Sequence, residues 1–123
     1  MNSKMTTVHN TVKRTFNANQ FLRVTIADVP LSHISVLLYI GLQSDENIGK
    51  TQLERVLDMS TSTMSRILQR LGAGSGDNER VKGLGLIDIY EDPMDWRLKR
   101  VKLNKKGQEV LDGYARIVNQ EVI

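Results

Sequence analysis

The chain has no cysteine, which excludes disulfides, thiolate metal sites and thiol-based redox sensing. Its two histidines, His9 and His33, lie far apart and suggest no metal cluster; satisfied or solvent-facing rings are the plainer reading. No apolar run approaches the roughly 18 residues needed to cross a bilayer. The N-terminus has no signal-peptide core, so a cytoplasmic protein with no membrane partner is expected. A Ser-His-Asp set is missing. The stretch Gly72-Ala73-Gly74-Ser75-Gly76 lacks the Lys-Ser/Thr ending of a phosphate-binding loop and reads as a linker. The expectation is therefore no catalytic residue, no metal, no cofactor and no enzyme.

What is present suits one small domain. The 123 residues are 40% apolar and 25% charged, ordinary values for a soluble globular chain with a modest core. Seventeen basic residues against 14 acidic ones leave a net charge of +3. The distribution says more than the total. From Asp95 to Lys106 the chain carries Arg97, Lys99, Arg100, Lys102, Lys105 and Lys106 against Asp95 alone. Such a stripe is a footprint of phosphate contact; the other reading is a solvated charged face.

The most informative stretch is Lys50 to Leu71. Leu53, Val56 and Leu57 make the apolar face of a first short helix. Asp58-Met59-Ser60 interrupts it, because Asp and Ser bond local backbone and favour turns and caps. Ser60 or Thr61 then caps a second helix, in which Met64, Ile67, Leu68 and Leu71 repeat at helical spacing. The opposite face carries Ser62, Ser65, Arg66, Gln69 and Arg70. It is small and polar first and basic further on, as a helix entering a major groove requires. The alternative is an ordinary helical hairpin with a solvated outer face.

Along the rest of the chain, Met1 to Thr7 reads as loose. Val8, Val12 and Phe16 predict a short amphipathic helix from about Thr7 to Asn17, weakened by Asn17-Ala18-Asn19-Gln20. Phe21 to Val29 is open between helix and extended chain. Pro30-Leu31-Ser32 starts a strongly apolar helix with Ser32 as its cap. Ser44 to Asn47 is a turn, and Ile48-Gly49-Lys50 a short strand. Gly72 to Asn78 is a flexible loop. Leu84 to Tyr90 and Arg97 to Leu103 form a β-hairpin, with Ile87 and Ile89 facing one way, Val101 and Leu103 inward, and Met94, Asp95, Trp96 and Arg97 at its tip. Asn104 caps a last helix whose stripe Val110, Leu111, Tyr114, Ile117, Val118 and Val122 is core or a dimer surface.

Helix-turn-helix, hairpin and final helix, in that order, make a winged helix: a mainly α fold with a small β-hairpin. In detail the chain resembles the MarR family of bacterial transcription regulators over roughly residues 31 to 114. Leu31-Ser32-His33-Ile34-Ser35-Val36-Leu37 is similar to the family's Leu-Thr-x-x-Gln-x-x-Leu helix start, and Ser60 to Arg66 to its recognition-helix opening. Asp92-Pro93-Met94-Asp95-Trp96-Arg97 resembles its wing, Asp-x-x-Asp-x-Arg. Leu103-Asn104-Lys105-Lys106-Gly107 resembles the Leu-Thr-x-x-Gly that opens the next helix. The sequence departs from the pattern at Glu54, where such motifs usually keep Ala and which suggests looser packing. It departs again at Asp58, where they keep Gly but where Asp can still take the left-handed turn. Its Gly72 to Gly83 link is longer, and the family's usual further dimerisation helix has no counterpart before Ile123.

The resemblance implies a sequence-specific regulator that binds double-stranded DNA, as a homodimer on an inverted repeat. Residues 1–30 and 107–123 are candidates for dimerisation and 31–106 for the DNA-binding domain. Thr61, Ser62, Ser65, Arg66, Gln69 and Arg70 would face the major groove; Lys50, Thr51 and Lys99 would meet phosphates. The resemblance puts Arg97 in the minor groove, and Asp95, two residues before it, can hold its guanidinium. The alternative for that pair is a local ion pair closing the hairpin. No residue argues for the small-molecule effector that the family often has. The alternative function is a winged-helix protein-interaction module, with Trp96 as the anchor for a partner.

Overall fold

The computed structural model describes residues 3–43, 47–74 and 82–120. Its elements are α1 (Ser3–Thr25), α2 (Leu31–Leu42), β1 (Ile48–Gly49), α3 (Lys50–Val56), α4 (Thr61–Leu71), β2 (Ile87–Glu91), β3 (Lys99–Leu103) and α5 (Lys105–Asn119). They fall into two compact units. One is Val29–Gln108; the other takes in α1 and the chain from Glu109 onward. Among the described residues no helix is long and apolar enough to cross a membrane.

In the larger unit α4 lies against α2, α3 and β2, while α2 and α3 also meet β3. The core is made by Val36, Leu37 and Ile40 of α2, Leu53 of α3, Met64, Ile67, Leu68 and Leu71 of α4, and Ile48, Ile87 and Val101 of the sheet. The whole predicted stripe of α4 is therefore buried. Of the three apolar residues predicted for α3, only Leu53 is fully buried; Leu57 is half-buried and Val56 is exposed. Seven residues make fewer than two full turns, so a single position faces the core. Asp58 sits at φ 52, the left-handed conformation expected of the turn.

The sheet has three antiparallel strands in the order β1-β3-β2, so the expected two-stranded hairpin gains β1 as a third strand. Ile48 lies opposite Val101, which pairs on its other side with Ile89. Both strands of the hairpin are shorter than expected. The N–H groups of Leu84, Gly85 and Leu86 donate to the carbonyls of Arg70, Gly72 and Leu71 (2.8, 2.9 and 2.8 Å). They satisfy the end of α4 rather than a ladder, and β2 begins only at Ile87. At the other end Arg97 and Leu98 belong to the tip. Ile87 is buried as expected, but Ile89, nearer the tip, is 42% exposed.

Two expectations about helices are corrected. Residues 3–25 form one continuous helix, not a loose end, a short helix and an undecided segment. Asn and Gln cost a helix only fractions of a kcal/mol, and buried Ala18 and Leu22 anchor the stretch that looked weak. Ser32 does not cap α2. The cap position is Pro30, with no side-chain bond, and Ser32 lies inside the first turn with its Oγ 3.4 Å from His33 Nδ1. The turn expected at Ser44–Glu46, the centre of the Gly72–Gly83 loop and the last stripe residue, Val122, lie outside the described residues.

Asn104 caps α5 as expected. Its Oδ1 accepts from the Gly107 N–H (2.9 Å) and its Nδ2 donates to the Gly85 carbonyl (2.8 Å). In α5 Val110 is buried, and Leu111, Tyr114, Ile117 and Val118 are half-buried. The glycine in the Asn104-to-Gly107 motif has a steric reason. A Cβ at Gly107 would stand 2.0 Å from the Leu86 carbonyl oxygen, a backbone atom held by its own bond from the Asn104 N–H (3.1 Å). Gly107→Ala is expected to destabilise the fold by about 2 kcal/mol, read as a lower midpoint in urea. Gly85→Ala meets no atom and carries only the strain of φ +68, so about 1 kcal/mol is expected there.

Candidate nucleic-acid interface

Burial of one side of α4 fixes what the other side presents. Ser60 is its N-cap and accepts from the Thr63 N–H (3.1 Å). Thr61, Ser62, Arg66 and Gln69 are exposed, and Ser65 and Arg70 are half-buried. These are the predicted major-groove residues, gathered on one face. Within that face Arg66 and Arg70 border a cleft shared with the start of α2.

Of the two predicted contacts on α3, one is already engaged. Lys50 Nζ lies 2.6 Å from Glu54 Oε2 and 3.4 Å from the Thr61 carbonyl, while Thr51 is exposed. Glu54 also accepts from Thr61 Oγ1 (2.9 Å). Its pKa is lowered, first by the Lys50 hydrogen bond, against desolvation. The residue expected to loosen the packing instead ties α3 to the first residue of α4.

The hairpin tip is built on Asp92, which is 8% exposed. Its carboxylate accepts from Arg100 Nε (2.7 Å) and from the N–H groups of Met94 (2.7 Å) and Asp95 (3.1 Å). The chain closes with bonds from Asp92 N–H to the Leu98 carbonyl and from Leu98 N–H to the Asp95 carbonyl, both 2.9 Å. Arg100 reaches on to the Asn47 carbonyl (3.2 Å). On this frame Asp95 holds Arg97 by two side-chain bonds, Nε to Oδ1 at 3.0 Å and NH2 to Oδ2 at 3.1 Å. That hydrogen bond lowers the Asp95 pKa and raises that of Arg97. The guanidinium is oriented yet exposed. Met94 and Trp96 beside it are 94% and 71% exposed.

The basic stripe is less free than its composition suggests. Lys99 faces Glu91 at 3.6 Å, Lys102 lies over the Tyr90 ring, and Lys106 donates to the Leu84 carbonyl (2.9 Å). Strand alternation also sends Lys99 and Arg100 to opposite faces.

Solved structures share this architecture. The Staphylococcus aureus MepR–DNA complex matches 94% of this chain and 82% of its own, with a TM-score of 0.68 and 21% identity. An Escherichia coli MarR mutant complexed with operator DNA matches 95% and 74%, at 0.62 and 21%. A probable transcriptional regulator from Pseudomonas aeruginosa matches 87% and 74%, at 0.55 and 22%. The fold is the winged helix of these proteins. No protein-family model matches the sequence, and no curated protein matches it either.

In the winged helix, α3 and α4 are the helix-turn-helix and Glu91–Lys99 is the wing. Sequence reasoning missed Glu54, Asp92 and Arg100 as supports of these parts. Only Asp92 carried a local signal, the Asp-Pro pair that starts turns. Its pKa is lowered, chiefly by Arg100 and then by the Met94 N–H, against desolvation. A depressed carboxylate stabilises above its unfolded value and loses that contribution as pH falls through the lower folded one. The wing tip should therefore hold its order at pH 5 and loosen below the ordinary value of 3.8. The amide resonances of Met94 and Asp95 report it, and Asp92→Asn should shrink the pH step to what Asp95, whose pKa is also lowered, contributes.

Proposed function

We propose that this chain is a DNA-binding transcription regulator of the MarR type. The observation that carries the reading is the pairing, in one compact unit, of a polar and basic α4 face with a wing whose Arg97 is pre-oriented by Asp95. MepR and MarR, which share the fold, have each been solved on DNA. In this reading Ser62, Ser65, Gln69 and the start of the helix approach base edges, because short side chains permit close approach and Gln can bond adenine on two atoms. Arg97 enters the narrow minor groove, where the potential is most negative. Thr51 and Lys99 meet phosphates. Lys50, whose charge Glu54 offsets, is the weakest of the proposed contacts. A cytoplasmic location follows from the same reading.

The proposed assembly is a homodimer on an inverted repeat. What supports it is the exposed row Met5, Val8, Val12 and Phe16 on α1, spaced to lie along one side of the helix, in the unit that also holds most of α5. Residues 1–30 and 107–123 are thus the proposed dimerisation segments, and 31–106 the reading domain. The second reading, an interaction module, is favoured by exposed Met94 and Trp96 and by a wing whose cations largely face carboxylates.

Selection of duplexes from a random pool at moderate salt separates the two. Enrichment of an inverted repeat with half-sites about one helical turn apart is expected. No enrichment, with no binding at low salt, would sink the regulator reading. On the selected duplex, Gln69→Ala should relax discrimination at one base position by about 1–3 kcal/mol. Arg97→Ala should weaken binding roughly tenfold, and Asp95→Asn less, since the arginine stays but loses its orientation.

A further inference from the structure

The α4 face does not end at α4. Between it and the start of α2 lies a cleft of about 470 Å³ bordered by Ser32, His33, Thr63, Arg66, Arg70 and Lys82. Three separate stretches of chain thus bring two guanidiniums, an ammonium, an imidazole and two hydroxyls to one place. No carboxylate borders it among the described residues. Within those residues Arg66 has no acidic partner, and Arg70 is engaged only by the Lys82 carbonyl. Like charges gathered without a counter-ion repel one another. The crowding is felt by His33, whose pKa is lowered by burial and then by Arg70. The first turn of α2, which also borders the cleft, has no side-chain cap, and its positive end adds to the same field.

We propose that this cleft seats a phosphate group of the duplex backbone, with Ser32, His33 and Lys82 joining Arg66 and Arg70 around it. The inference rests on the DNA-reading role argued above and extends that surface to α2. An anion there would offset part of the charge of the guanidiniums and the ammonium, accept from the hydroxyls and favour protonation of His33. Beside His33 stand Ser32 on its own helix and Arg70 from α4, and Arg66 and Lys82 share the cleft with it; all the charged ones are cationic. Binding therefore takes up a proton. Affinity rises as pH falls through the imidazole range, by at most about tenfold per pH unit for one linked proton.

The test uses the whole chain, the two imidazoles followed by NMR across pH, with His9 as internal reference. A duplex is expected to raise the titration midpoint of His33 and leave that of His9. Lys82→Ala, an exposed side chain whose removal spares the core, is expected to weaken duplex binding several-fold and to lower the slope of log affinity against log salt by a part of the roughly 0.9 that one phosphate contact carries, because Arg66 and Arg70 remain. His33→Gln is expected to flatten the pH dependence. A duplex that binds while the His33 midpoint and the Lys82→Ala slope stay unchanged overturns the proposal and leaves the DNA reading standing. A chain that binds no duplex overturns that reading and the backbone phosphate with it. Inorganic phosphate then decides the cleft. A raised His33 midpoint assigns it to a free phosphate, and an unmoved one removes it as an anion site.

Discussion

Burial of the Met64, Ile67, Leu68 and Leu71 stripe is the constraint from which the rest of the larger unit follows. These four side chains are almost wholly withdrawn from water, each contributing on the order of 1.5–3 kcal/mol. Fixing them fixes the rotation of α4 about its axis, and the side that remains carries Ser62, Ser65, Arg66, Gln69 and Arg70. The rotation is shared with neighbours: α2 and α3 pack on the same helix, and the 84–86 segment caps its last carbonyls. A polar substitution in the stripe would thus disturb the outward face without touching any residue on it.

The wing follows a different logic. It is too small to be held by apolar burial, so a buried carboxylate does the organising. Asp92 gathers Arg100 and two backbone N–H groups, and Asp95 repeats the device one step further out for Arg97. Ordering the guanidinium before any partner arrives lowers the entropy cost of a later contact. The same economy leaves little spare charge. Most of the stripe from Arg97 to Lys106 is committed to intramolecular acceptors or to the Tyr90 ring, so the electrostatic attraction of the wing is smaller than its composition implies.

A second group of cations sits beside α2. Arg66, Arg70 and Lys82 meet around the cleft that also holds His33, with no described carboxylate to balance them. Among the described residues, cations without a carboxylate partner thus gather beside α4, while most of those along the strand that the sequence singled out are paired. Charge counts along a chain do not distinguish a paired cation from an unpaired one, because pairing depends on which strand lies opposite.

Much of this was legible in the residues themselves. The 3.6-residue period of α4, the Ser60 and Asn104 caps, the left-handed Asp58 and the hairpin tip all arise from interactions within a few positions, which local spacing encodes. The winged-helix order followed from those parts. What the tertiary structure decided was every feature that depends on distant chain. β1 joins the sheet because Ile48 meets Val101; Glu54 is a tie because Thr61 comes back to it. Residues 3–25 stay helical because Ala18 and Leu22 are buried. Gly107 is required because the Leu86 carbonyl stands where a Cβ would be. Ser32 and His33 join Arg70 only because α2 packs on α4. Local pattern sets which backbone conformations are cheap, but burial and pairing between segments far apart in sequence set which side chains meet.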